Sequence, residues 1–94
     1  MLAHLIPSSV VLLNRAVAIG MADGPSRGLA LVDQLAADPA LRAYPPLAAV
    51  RATLLGRLGR ADDARREFQR AATLTSNTSE QRLYRRQADA LDPR

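Results

Sequence analysis

Few side chains in this chain could do chemistry, and they are scattered. His4 is the one histidine, there is no cysteine, and no cluster of carboxylates accompanies either position 4 or any other. A single imidazole without partners reads as an ordinary side chain. Ser8 and Ser9 lack the G-x-S-x-G setting of a nucleophile, and helix capping accounts for Ser9 better. Asp62 and Asp63 open a helical stretch, where negative charge complements the helix dipole. Gly20, Gly24 and Gly28 follow no strand, so they do not form a phosphate-cradling loop. No catalytic, cofactor-binding or metal-ligating residue is expected, and the chain does not read as an enzyme.

Asn14 and the arginines are the remaining polar candidates. Asn14 interrupts the most apolar stretch, and a buried amide left unbonded costs about 1–3 kcal/mol. A bond to a nearby backbone carbonyl is the plainer reading; contact with a partner, shared with Arg15, is the other. The net charge is +4 and every basic residue is arginine. Asp62–Arg66 and Glu67–Arg70 are spaced for pairing on a helix surface. Arg82, Arg85 and Arg86 face only Glu80, Asp89 and Asp92, and with Arg57 and Arg60 they could build a basic patch. Nucleic-acid binding usually adds aromatic stacking or a reading helix. Neither is evident, so direct DNA contact is not expected.

The elements that would position these residues are helices. Five are expected and no strands: about residues 9–22, 26–37, 46–58, 61–74 and 78–91. Ser9, Ser26 and either Thr78 or Ser79 are the expected N-caps, Asp38-Pro39 the stop of the second helix, and Gly59 a left-handed stop of the third. Residues 40–45 read as a looser connection. Leu47, Val50, Leu54 and Leu58 recur at helical spacing, as do Ala61, Ala64, Phe68 and Ala71. Apolar residues make up 48% of the chain, yet only three are aromatic, so the core must be small and close-packed. No uncharged apolar run approaches the ~20 residues of a membrane span. Residues 1–6 lack the pattern of a signal peptide, and the absence of cysteine suits a cytoplasmic location.

The first of these helices is apolar on almost every side, from Val10 to Met21. Such a helix is a buried one. Its neighbours in a small domain can cover only one side. A preceding portion, a second copy or a partner is expected to cover the rest, and residues 1–6 read as the tail of an earlier helix.

Arg15-Ala-Val-Ala-Ile-Gly20 and Arg51-Ala-Thr-Leu-Leu-Gly56 are near-copies, 36 residues apart (15 to 51). At the same offset Gly28 matches Ala64, Val32 matches Phe68 and Leu35 matches Ala71. A period of this size marks stacked helical pairs. The second unit resembles the tetratricopeptide pattern through Ala52, Gly59, Ala64, Phe68 and Ala71, although Ala48 and Ser76 replace its early tryptophan and closing proline. The first unit keeps Ala16, Ile19, Gly28, Val32 and Leu35. The expected fold is all-α, with tetratricopeptide-like antiparallel helix pairs in residues 8–38 and 45–75 and a closing helix over 78–91.

A narrower resemblance runs along nearly the whole chain. The run from Ser9 to Ile19, with Asn14–Ala18 as its most specific part, is followed by Gly24-Pro25, Gly28-Leu29, Arg51–Leu55 and Leu58-Gly59-Arg60. It is similar to the C-terminal extension of a subgroup of extracytoplasmic-function RNA polymerase sigma factors. That family usually has proline where this chain has Ser9. The resemblance implies a protein-interaction role in bacterial transcription initiation, with the preceding sigma-factor domains or RNA polymerase as partners. The promoter-binding domains are absent from this chain. On this reading Leu12, Asn14 and Arg15 of the first helix, and Leu47, Arg51 and Leu55 on the concave face that tetratricopeptide-like stacking implies, are the interaction residues. A free-standing adaptor, or a homodimer through the apolar first helix, is the alternative. Nucleic-acid binding by Arg82, Arg85 and Arg86 ranks below both.

Overall fold

The computed structural model describes the backbone of residues 2–91 and the side chains of residues 11–91. The chain forms six helices: α1 (Leu2–Asp23), α2 (Pro25–Leu35), α3 (Pro39–Arg42), α4 (Pro45–Arg57), α5 (Ala61–Leu74) and α6 (Thr78–Ala90). There is no strand among the described residues. The side chains of His4, Ser8 and Ser9 lie outside the described residues, as does Asp92.

The helix boundaries follow local chemistry and amend several expectations. α1 does not begin at Ser9; its backbone is helical from Leu2, through Pro7. Gly24, rather than Ser26, caps α2, because its φ of 107° suits glycine and Pro25 then supplies the first helical φ. Residues 39–42 are a helical turn rather than a loose connection. The Asp38 carboxylate accepts the backbone N–H of Ala40 at 2.9 Å and so nucleates α3. Gly59 does take the left-handed conformation, with φ 79°. Arg60 N–H reaches back to the Leu55 carbonyl at 3.0 Å and Gly59 N–H to that of Gly56 at 3.1 Å, closing α4 in a Schellman turn.

The cap of α6 is Asn77, not Thr78 or Ser79. Its side chain accepts the Glu80 N–H at 3.0 Å. The buried Thr75 hydroxyl donates to the Glu80 carboxylate and accepts the Asn77 N–H at 3.1 Å, while the Gln81 amide donates to the Thr75 carbonyl at 3.0 Å. These bonds fix how α6 leaves α5.

Each main helix packs on its neighbour in the chain: α1 on α2, α2 on α4, α4 on α5 and α5 on α6, with α3 resting on α4. The result is a slab of 46 × 33 × 18 Å, about two helices thick. It is an all-α helical-repeat fold of two pairs, α1/α2 and α4/α5, closed by α6. The sequence repeat is also a packing repeat. Ala16 and Ala52 are both buried, as are Val32 and Phe68. α4 sits at the centre of the slab. Its Leu47, Leu54 and Leu55 join Leu13, Ala16, Leu29 and Val32 in one apolar cluster. Its Ala48 and Ala52 join Phe68, Ala71, Tyr84 and Ala88 in a second.

Candidate functional site

The charged side chains of α5 form short-range pairs. Asp63 accepts from Arg60 at 2.7 Å and from Arg66, Arg65 lies 3.4 Å from Asp62, and Arg70 grips Glu67 at 2.9 Å. The two guanidinium groups hold the Asp63 carboxyl below the usual carboxylate range. The Glu67–Arg70 pair is the expected one. Asp62 pairs with Arg65, three residues on, rather than with the expected Arg66, which goes to Asp63.

Arg51 ties the two repeats together. Its guanidinium donates to Asp33 of α2 at 2.8 Å and lies 3.6 Å from Glu67 of α5. Burial alone would lower its pKa, but Asp33 and Glu67 outweigh that and raise it. Arg70 also donates to the backbone carbonyl of Arg42, at 3.1 Å, and so holds the end of α3. This is an ion-pair clamp on the outside of the stacked repeats.

The opposite face of α4 is open. Val17 and Met21 of α1, Val50, Thr53 and Arg57 of α4, and Leu83 and Gln87 of α6 line a groove of about 310 Å³, with Phe68 and Tyr84 at its floor. A shallower hollow continues it along Arg57, Gln87 and Leu91. The lining is mainly apolar. Burial, with smaller contributions from Glu80 and Tyr44, pushes the Tyr84 hydroxyl above its ordinary pKa, so it stays a neutral hydrogen-bonding group. α1 contributes more apolar surface than its neighbours cover. Leu13, Ala16 and Gly20 face inward, while Val11 and Met21 are each 63% exposed and Leu12 and Val17 are also open. The expectation that the domain would cover one side of this helix holds.

The chain matches no family model and no solved structure. It is similar to part of a longer protein. Over 90 residues, 96% of this chain, it is 44% identical to an uncharacterised protein of Rhizobium meliloti (strain 1021). The chain spans 21% of that protein's length.

The residues singled out in the sequence are divided between surface and interior. Leu12, Asn14 and Arg15 are exposed. Asn14 is thus not a buried amide, and no hydrogen bond of its side chain is present among the described residues. Leu47 and Leu55 are fully buried, at 0% exposure, and Arg51 belongs to the clamp. These three do not line the groove. Residues 47, 51 and 55 share one side of α4, whereas the groove takes Ala49, Val50, Thr53, Leu54 and Arg57 from the adjoining side. At about 100° per residue the two sets occupy separate arcs of the helix.

Arg82, Arg85 and Arg86 are exposed and make no ion pair among the described residues. Arg60 is taken up by Asp63, so it does not join them. Leu83 was overlooked in the sequence, although a lone leucine among Glu80, Gln81, Arg82, Arg85 and Arg86 is a visible signal. Among the described residues no three metal-ligating side chains converge. No helix in them is long and apolar enough to cross a membrane.

Proposed function

We propose that this chain is a protein-docking domain that serves bacterial transcription initiation as the C-terminal regulatory domain of an extracytoplasmic-function sigma factor. The observation that carries docking is the apolar groove between α1, α4 and α6, continuous with the uncovered side of α1. Exposed apolar surface of this kind marks a binding site on small domains. The sigma-factor assignment rests on the Asn14–Ala18 run and the matching segments that follow it. The similarity to a fifth of a longer Rhizobium protein supports a unit that is carried within larger chains. In this reading the domain works in the cytoplasm by contact, with no catalysis and no cofactor.

The test is capture of purified bacterial core RNA polymerase, and separately of the two promoter-binding domains of such a sigma factor, on the immobilised chain. Retention of either, lost on Leu83→Glu or Met21→Glu, is the expected outcome. If neither is retained by the wild-type chain, the sigma-factor reading fails.

One observation favours a second reading, self-association. The open side of α1 carries Val11 and Met21, both well exposed. Sedimentation equilibrium distinguishes the two, because a dimer that Met21→Glu dissociates would assign that surface to a second copy.

A further inference from the structure

We propose that the groove receives an amphipathic helix from another protein segment, with apolar side chains in the groove and carboxylates paired with Arg57 and Arg86. The inference rests on the reading of this groove as a protein-docking face, and adds the chemistry of what docks there.

Charge decides the occupant. Arg57 is the one charged side chain in the groove lining, and no carboxylate lines it. Among the described residues Arg57 makes no ion pair. Asp63 is engaged with Arg60 and Arg66, Glu67 with Arg51 and Arg70, and Glu80 bonds Thr75, while Asp89, three positions after Arg86, forms no ion pair among the described residues. On α6, Arg86 follows the groove-lining Leu83 by three positions. At about 100° per residue it stands some 60° from Leu83, on the rim. The site is therefore an apolar trough with a cationic edge that makes no ion pair among the described residues.

A second copy answers this poorly, since it carries the same +4 charge and the same cationic rim. The groove is at the small end of the range for ligand pockets and is open along one side. A few side chains from successive helical turns fill such a space while their backbone stays outside, as in helix-in-groove recognition. Thr53 and Gln87 offer hydrogen bonds beside the apolar contacts.

The experiment uses the whole chain and two fluorescent peptides of about 18 residues, a length of some five helical turns. Both have leucine at i, i+3, i+4 and i+7; one carries glutamates at the flank of that stripe, the other lysines. Fluorescence anisotropy is expected to show the glutamate peptide binding at least about tenfold tighter, with the preference shrinking as salt rises. Arg57→Glu should reverse the preference, and Leu83→Glu should abolish binding of both peptides.

Leu83 is 45% exposed, so this change does not threaten the core. Circular dichroism melting verifies that, and Met21→Glu takes its place if Leu83→Glu unfolds. Equal affinity for the two peptides, or a preference unmoved by Arg57→Glu, overturns the proposal. So does a dimer in sedimentation that Leu83→Glu dissociates. A glutamate preference in a chain that retains neither polymerase nor sigma-factor domains keeps this inference and removes the sigma-factor reading. Captured polymerase together with equal peptide affinities does the reverse.

Discussion

Gly28 of α2 lies so close to Gly20 of α1 that a side-chain carbon on Gly28 would stand 2.9 Å from the Gly20 Cα and 2.9 Å from the Ala16 carbonyl oxygen. Both are backbone atoms, so neither can swing aside. The equivalent position of the second repeat is Ala64, and there a methyl group on the partner glycine, Gly56, would stand 3.9 Å from the Ala64 Cβ, an ordinary contact. The first helix pair is thus drawn together more tightly than the second. Gly28→Ala is expected to cost roughly 1–3 kcal/mol by overpacking. Gly56→Ala should be neutral or stabilise by up to about 1 kcal/mol, since it replaces a glycine held in the last turn of α4. Urea unfolding of the two variants measures the difference.

Asn14 is exposed and without a side-chain hydrogen bond among the described residues. Asn14→Ala should therefore change stability by no more than about 0.5 kcal/mol, as ordinary surface substitutions do. A larger loss in a thermal melt would mean that the amide has a structural partner after all.

The joint between α5 and α6 depends on Asn77. Replacing it with alanine removes the acceptor for the Glu80 N–H and should cost about 1 kcal/mol. Hydrogen exchange should localise the loss to the first turn of α6, leaving α1 and α2 protected.

Glu67 is the hub of the clamp, with its side chain only 12% exposed between Arg51 and Arg70. Glu67→Ala leaves two guanidinium groups without that partner. A loss of about 1 kcal/mol is expected, at the upper end for partly exposed pairs. The loss should shrink in high salt, which screens the pairs in the wild type. Melting at low and high ionic strength gives both numbers.

Acid should weaken the fold through Asp63. Its pKa is lower in the folded chain than in the unfolded one, because Arg60 and Arg66 stabilise the carboxylate. Its contribution is then fully present above the unfolded value and is lost as pH falls through the folded value. Asp63→Asn should flatten the stability curve below the ordinary carboxylate range. A curve of unchanged slope would show that the two pairs contribute nothing to folding.

Much of the architecture was legible because local rules produced it. The helical spacing of α4 and α5, the left-handed Gly59 and the shared 36-residue period each correspond to an observed feature. Other features needed neighbours. The cap of α6 passed to Asn77 because Thr75 and Glu80 closed a hydrogen-bonded ring around it, and three adjacent polar residues look interchangeable until that ring exists. The short α3 was missed because Asp38-Pro39 is a stop signal for one helix and a start signal for the next.

The burial of Leu47 and Leu55 was not legible in the sequence for a similar reason. Leu47, Arg51 and Leu55 form a credible surface stripe in isolation, but α4 is packed by α2 and α5 and has more than one apolar face. Periodicity reports which residues share a side, not which side meets solvent. The amino-acid order alone determined the helices, the repeat and a core of small side chains, since these follow from propensity and spacing. Only the tertiary stacking left Val17, Met21, Leu83 and Arg57 around an open groove. That outcome depends on which helix lies against which, and residues from three separate helices meet there only once the slab has formed.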